Sequence, residues 1–219
     1  MNLPSPLFAC GETHDTPRLA ARPGKEVLAK MLTVFNHFIP NAIPFLNSGQ
    51  EFFELQPMNT GLDCKPNEAE ALPKDDPYFG KLALFDRYNL HYLHPRRWEM
   101  IEVIEKASKI RNSLMDSMLN PDKVYPLGFS APWDTAAGFG YKGRSKITLV
   151  ITNTDVYNDK EHWVKLDNIP DEFNREGTIL KQIFSSENEV SETDVVIDST
   201  SNVRIWFKKG EVKVFEIKA

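Results

Sequence analysis

The chain has 219 residues, 41% of them hydrophobic and 26% charged, enough to bury about 70% of the unfolded surface as one large or two small domains. A formal net charge of −5 and the lack of any Lys/Arg run argue against a nucleic-acid partner. No run approaches the ~18 apolar residues of a membrane span, MNLPSPLFAC lacks the basic head and apolar core of a secretory signal, and Cys10 and Cys64 make neither a disulfide framework nor a zinc set. The chain therefore reads as needing no membrane, metal or cofactor, with two free thiols suited to a reducing, cytoplasmic compartment.

In chain order, residues 5–10 read as a short buried strand and Gly11–Pro17 as the loop beyond its carboxyl end. The chain thus starts almost directly on a strand, as if its first elements lay elsewhere. From Lys25 to Phe38, Leu28, Met31, Leu32, Phe35 and Phe38 recur at three- and four-residue spacing behind the breakers Pro23 and Gly24, which predicts a helix. Pro40 closes it, and Ala42–Leu46 is a second short apolar run, read as a buried strand despite Pro44. Strand, loop, helix and strand at this spacing predict a right-handed β-α-β unit with parallel strands.

The polar stretch QPMNTGLDCKPNEAEALPKDDPYFGK follows, with four prolines in 26 residues. It is either a linker or a functional loop, and the apolar Met58, Leu62, Tyr78 and Phe79 favour the loop. A second helix is predicted from Trp98 to Leu119, with Ile101, Ile104, Ala107, Leu114 and Met118 as its stripe. Pro, Gly and small residues dominate 121–145, where a domain boundary is placed. Beyond it, KITLVITNTD, HWVKLDNI, TILKQIFS, DVVID and NVRIWFKKGEVKVFEI are strand-like runs of an antiparallel sandwich, with Lys209-Gly210 read as a tight hairpin between the last two.

Chemistry is expected where the parallel strands end, because α/β architectures build their sites at the carboxyl edge of the sheet. His14 and Asp15 stand in the first such loop, although Asp15-Thr16-Pro17 also reads as a simple turn and His14 as a spectator. Gln50, Glu51 and Glu54 stand beyond the second strand. Glu51 is within reach of a structural ion pair with Arg18 or Arg22 of the first loop. His37, His91 and His94 read as structural.

ETHDTPR resembles the fourth conserved segment of the α-amylase family of glycoside hydrolases, an Asn-His-Asp triplet after the seventh strand of a (β/α)8 barrel. IPFLNSGQE resembles that family's eighth strand with its Gly-x-Glu ending. QPMNTGLD and FGKLALFDRYNLHYL resemble, more narrowly, maltosyltransferase-type members that move maltosyl units between α-1,4-glucans. The resemblance implies that residues 1–122 are the last two β/α units of the barrel and 123–219 the family's C-terminal β-sandwich domain. Asp15 would be the carboxylate that stabilises the transition state, His14, Gln56, Asn59 and Asp63 would bind an α-glucan or maltooligosaccharide, and Arg18 and Glu51 would support them. Two departures stand out. Thr13 replaces the usual asparagine, and the family's nucleophilic aspartate and acid/base glutamate belong to strands four and five, which would leave this part inactive without the missing N-terminal barrel portion. The rival reading is a non-catalytic carbohydrate-binding or interaction module on the sandwich, in which Trp133, Trp163 and Trp206 stack on sugar rings. Core packing is the commoner fate of such tryptophans.

Overall fold

A computed structural model describes residues 6–59, 71–84, 86, 94–130, 134–189 and 195–218. Strand β1 (Leu7–Cys10) and strand β2 (Ala42–Phe45) pair in parallel, Leu7 beside Ala42 and Cys10 beside Phe45. Helix α1 (Lys25–Asn36) connects them. It begins behind Gly24, whose φ of 93° is a left-handed conformation that glycine adopts without cost. Pro44 is tolerated in β2 because the described sheet has only two strands, which leaves one side of β2 without a ladder to break.

Helix α1 is apolar on two sides. Met31, Val34 and the following Phe38 face the sandwich, while Leu28, Ala29 and Leu32 pack with Leu19, Phe53 and Met100. Helix α2 (Arg97–Met118) runs one residue ahead of the predicted span. Its buried stripe is Met100, Val103, Ala107, Arg111, Leu114 and Met118, with Ile101 and Ile104 only partly covered beside it. Arg111 occupies the position that hydropathy leaves as a gap. Its guanidinium donates to the carbonyls of His37 (2.6 Å) and Ala42 (2.5 Å), fastening the end of α1 to the start of β2. Two carbonyls that would otherwise be buried unpaired are thereby satisfied.

The remaining strands are β3 (Val124–Pro126), β4 (Gly128–Phe129), β5 (Ala136–Lys142), β6 (Lys146–Asn153), β7 (Lys160–Lys165), β8 (Ile179–Ser185), β9 (Val195–Val196), β10 (Asn202–Phe207) and β11 (Val212–Lys218). They form a six-stranded sheet in the order β3-β5-β6-β11-β8-β9 and a three-stranded sheet in the order β10-β7-β4. Every pair in these two sheets is antiparallel. Ile147, Leu149, Ile151, Phe215 and Ile217 meet Val164, Val203, Ile205 and Phe207 between the sheets. On its other face the large sheet presents Tyr141, Val150, Phe184, Val212 and Val214 to α1 and α2. A sheet covered on both faces needs apolar residues on both, which is why β6 reads as a continuous run. In β7 and β10 alternate residues are buried, because only one face is covered.

Helices of the first segment cover the large sheet of the second, so the two segments pack together across residues 121–145. Two expectations need correction. Within that stretch, read as a boundary, lies the seven-residue strand β5, which its Ala/Gly content conceals. A Cβ on Gly138 would stand 2.7 Å from the Val150 carbonyl oxygen, so the close approach of β5 to β6 requires glycine there. Lys209-Gly210 is not a hairpin. It carries the chain from the small sheet to the large one, with Gly210 pressed against Val27 of α1.

Two groups of apolar side chains are left bare. Leu7, Phe8, Ile43, Phe45 and Leu46 are exposed on and beside the β1–β2 pair, Phe8 at 71%. Trp163 (39%) and Trp206 (58%) stand on the outer face of the small sheet, against the expectation of core packing. Trp133 lies outside the described residues. Among the described residues no helix is long and apolar enough to cross a membrane.

Candidate functional site

The loop after β1 is held by its own threonines. Thr13 N donates to Thr16 Oγ1 (2.8 Å), Thr16 N to the Thr13 carbonyl (3.3 Å), and Asp15 N to Thr13 Oγ1 (3.2 Å). Thr13 therefore orders the backbone under Asp15 from the position where the resemblance expects asparagine. The turn reading and the site reading of Asp15 are compatible, since the turn fixes the backbone and leaves the carboxylate free to point elsewhere.

That carboxylate points toward the segment beyond β2. Asn59 Nδ2 donates to Asp15 Oδ1 at 2.8 Å, across 44 residues of sequence. The other oxygen, Oδ2, lies 3.1 Å from His14 Nε2, and the two side chains are 42% and 60% exposed. A carboxylate has about four lone-pair positions. Asn59 and His14 leave the rest open to hydroxyl donors from solvent or a ligand.

Beneath these residues lies a buried ionic core. Arg18 is fully buried, and its Nη1 donates to Glu12 Oε1 (2.8 Å) and the Ser48 carbonyl (2.8 Å), while Nε donates to the Gln56 carbonyl (2.9 Å). Glu12 also accepts from Leu19 N (2.6 Å) and Asn47 Nδ2 (3.1 Å). One guanidinium thus fixes the first loop to two points of the second. The carboxylate paired with Arg18 is Glu12, and not Glu51 as the sequence suggested. Glu51 instead accepts from Gly49 N (2.8 Å) within its own turn, and Arg22 donates to the Pro17 carbonyl (2.7 Å).

The second loop turns sharply where its sequence allows. Gly49 (φ 99°) and Phe53 (φ 62°) take left-handed conformations around the short 3-10 turn Gln50–Phe52. Gln50 Nε2 donates to Thr33 Oγ1 of α1 (2.6 Å), and Glu54 Oε1 accepts from the amides of Leu55 and Gln56 (both 2.9 Å). Glu54 and Gln50 are buried and serve the fold of the loop. Gln56, expected to bind substrate, is 1% exposed and faces the protein interior. Asp63 and His91 lie outside the described residues. His37 Nδ1 pairs with the Thr33 carbonyl (2.8 Å), and His94 Nε2 with Glu26 (2.9 Å), the partners expected of structural histidines.

Sequence reasoning singled out Asp15, His14 and Asn59, which the fold brings together, but assigned nothing to Glu12 or Asn47. The available signal was an acidic residue beside an apolar run with an arginine six positions on, a weak pattern until burial is known. Chemically, the assembled site is a fixed acceptor flanked by an imidazole and a carboxamide, suited to orient a neutral polyhydroxylated ligand. No group of three His, Cys, Asp or Glu side chains is placed to hold a metal among the described residues.

Neither a protein-family model nor a curated protein matches the sequence. Solved structures match the fold. The α-amylase of Geobacillus thermoleovorans, solved with acarbose, matches over 97% of this chain at 14% identity and a TM-score of 0.56. Trehalose-6-phosphate hydrolase of Bacillus licheniformis matches over 97% at 16% identity and 0.58. An AmyP variant solved with maltotriose matches over 93% at 10% identity and 0.59. These alignments span 38%, 43% and 39% of the respective solved chains, so the present chain corresponds to about two fifths of their length.

Proposed function

We propose that this chain is the C-terminal part of an α-glucan-acting enzyme of the α-amylase type. Residues 1–122 would be the last two β/α units of a (β/α)8 barrel and 123–219 its β-sandwich. The observation that carries the reading is the meeting of Asp15 and Asn59 beyond the carboxyl ends of two parallel strands, at 2.8 Å. The fold neighbours solved with acarbose and maltotriose support a glucan as the ligand.

Retaining cleavage of a glycosidic bond uses one carboxylate as nucleophile and a second as acid/base, ~5–5.5 Å apart. In this reading both come from the preceding barrel strands, and Asp15 is the third carboxylate. It accepts hydrogen bonds from hydroxyls of the sugar whose bond breaks. Such bonds strengthen as the ring flattens toward an oxocarbenium ion, so they favour the transition state over bound substrate. Charge-assisted bonds of this kind are worth roughly 1.5–3 kcal/mol each. His14 fixes the orientation of the same ring, and the Glu12–Arg18 pair keeps both loops in register.

The bare apolar side chains on and beside β1 and β2 support a missing barrel portion as the structural partner. Fully burying a Leu, Ile or Phe side chain is worth ~1.5–3 kcal/mol. Five such residues about half exposed represent roughly 4–8 kcal/mol on that scale, a driving force for docking the remaining strands. Resemblance of QPMNTGLD to maltosyltransferase-type members favours glucan-chain transfer over hydrolysis. The test is to incubate the chain with starch and with maltotetraose, alone and with a polypeptide supplying the preceding strands. No turnover is expected alone and restored turnover with the supplement, longer glucans among the products marking transfer. Turnover by the 219-residue chain alone would refute the reading.

A further inference from the structure

Phe53 is a strained point of the second loop. It takes φ 62° and ψ 40°, the left-handed conformation that glycine ordinarily supplies where a helical turn ends. Its amide donates to the Gln50 carbonyl (3.3 Å), and the next amide, of Glu54, turns back to the Gly49 carbonyl (3.0 Å). Phe53 is 3% exposed and shares a core with Leu19, Ala29 and Met100. Non-glycine residues persist in such conformations only where the surroundings over-determine them, and they cluster at functional sites.

Two side chains flank the Phe53 ring. The His94 ring lies 5.1 Å from it, centroid to centroid, and the Arg96 guanidinium lies 5.8 Å from its centroid, within cation–π range. Both belong to the segment that leads into α2, and both are tied to one carboxylate of α1. His94 Nε2 pairs with Glu26 Oε1 (2.9 Å), and Arg96 Nη1 donates to Glu26 Oε2 (3.0 Å). Glu99 holds Arg96 from its other side, accepting from Nε (3.0 Å) and Nη2 (2.8 Å), and Lys30 of α1 donates to the same Glu99 carboxylate (3.2 Å). Glu26 thus sets the position of both groups against the ring.

The strained turn changes the direction of the chain. Before it, Gln50 is fastened to Thr33 of α1. After it, Gln56 presents its carbonyl to Arg18 Nε (2.9 Å) and Asn59 its carboxamide to Asp15 (2.8 Å). A left-handed residue relaxes by rotating φ, and everything beyond the rotated bond moves with it. Opening at Phe53 would therefore draw Gln56 and Asn59 away from the first loop.

We propose that Glu26 is a positioning residue of the candidate site: by holding His94 and Arg96 against the Phe53 ring, it keeps the strained turn closed and the segment carrying Asn59 against Asp15. Glu26 acts through the ring and the backbone of the second loop. The use of that loop toward a sugar rests on the function proposed above. The clamp itself rests on the contacts around Phe53.

The test reads hydrogen exchange in the intact chain by proton–nitrogen NMR. The Arg18 Nε–H, bonded to the Gln56 carbonyl, and the Gln56 amide, bonded to Glu54, report on the loop, and the amides of Leu149 and Val150 in β6 report on the rest of the fold. Glu26→Ala should speed exchange at both loop reporters at least tenfold, shift the Asn59 carboxamide signals and leave the β6 amides within about twofold of wild type. Phe53→Leu keeps an apolar side chain at the strained φ but offers no aromatic face, so it should give the same selective pattern. Adding Glu26→Ala to it should change the loop reporters by less than about twofold more, because the clamp then has no ring to hold. If Phe53→Leu does not fold, Arg96→Gln, which takes the guanidinium from the ring, should show the selective pattern in its place. Loop reporters unchanged in Glu26→Ala would overturn the proposal. Equal acceleration of loop and β6 amides, the mark of general destabilisation, would overturn it too, as would fully additive effects of Glu26→Ala and Phe53→Leu. None of these readouts uses turnover, so the clamp can fail while the proposed function stands. The expected exchange pattern together with no restored turnover in the supplemented chain would sink that function and leave the clamp in place.

Discussion

Glu12→Gln should be among the most damaging single changes near the site, although it removes no atom from the ligand side. Arg18 is fully buried and Glu12 is 2% exposed, so water cannot take over the lost charge. Removing one partner of a buried ion pair typically costs ~3–5 kcal/mol because the other charge is left uncompensated. Glutamine keeps the shape and one acceptor oxygen, and Arg18 keeps its bonds to the Ser48 and Gln56 carbonyls, which sets the expectation near the lower end. For a chain of this size each kcal/mol moves the melting temperature by roughly 2–4 °C, so a loss of ~3 kcal/mol corresponds to about 6–12 °C. Arg18→Met should cost at least as much, since it strands the Glu12 carboxylate and two carbonyls together. The double variant should cost less than the sum of the two by more than ~1 kcal/mol, as expected for residues in direct contact. Urea unfolding followed by circular dichroism, run on all four proteins, gives the cycle. Single-variant costs below ~1 kcal/mol that simply add would show a hydrated pair and refute the account of how the two loops are joined.

On the proposed function, Asp15→Asn in the chain supplemented with the proposed preceding strands should lower turnover by orders of magnitude with little change in melting temperature; a change of a few-fold would leave Asp15 as a turn residue. Gly138→Val should destabilise by ~1–3 kcal/mol, because its side chain must displace the Val150 carbonyl from β6, and thermal unfolding reads the loss. The Arg96 guanidinium, with Lys30 behind it, holds the Glu99 carboxyl down at about 2, against an ordinary 4.5. A depressed carboxylate stabilises the fold above its unfolded value, so this contribution should fade as pH falls from 4.5 toward 2, and Glu99→Gln should flatten melting curves in that window. Burial lowers the pKa of His37, so the unfolded chain takes up a proton before the folded one does as pH drops below 6.5. Stability should decline in that range, less steeply in His37→Gln.

Much of the fold could be read directly. The three- and four-residue spacing of α1 and α2 marked both helices, and the Val-, Ile- and Phe-rich runs around HWVK and NVRIWF marked strands, without saying which of their residues face water. The strands missed were those whose identity rests on a neighbour. In β5, AAGFGYK has little β-propensity, and its glycines are required by the closeness of Val150, which local sequence does not report. In α2, Arg111 interrupts the apolar stripe and is nonetheless buried, because two carbonyls from distant segments meet its guanidinium.

At the candidate site the same division holds. By itself the sequence determined which residue types stand beyond the carboxyl ends of the parallel strands, because helix and strand periods fix where each element stops. It also showed that β1 and β2 are apolar, but read them as buried strands, whereas most of their side chains are exposed among the described residues. Only the tertiary structure decided that Asp15 meets Asn59, that Arg18 chooses Glu12 over Glu51, that Gln56 turns inward, and that Trp163 and Trp206 face outward. Periodicity states which face of an element avoids water. The partner that meets that face comes from 30 or 40 residues away, and burial, which gives an ion pair or an exposed indole its energetic weight, exists only once the chain has closed.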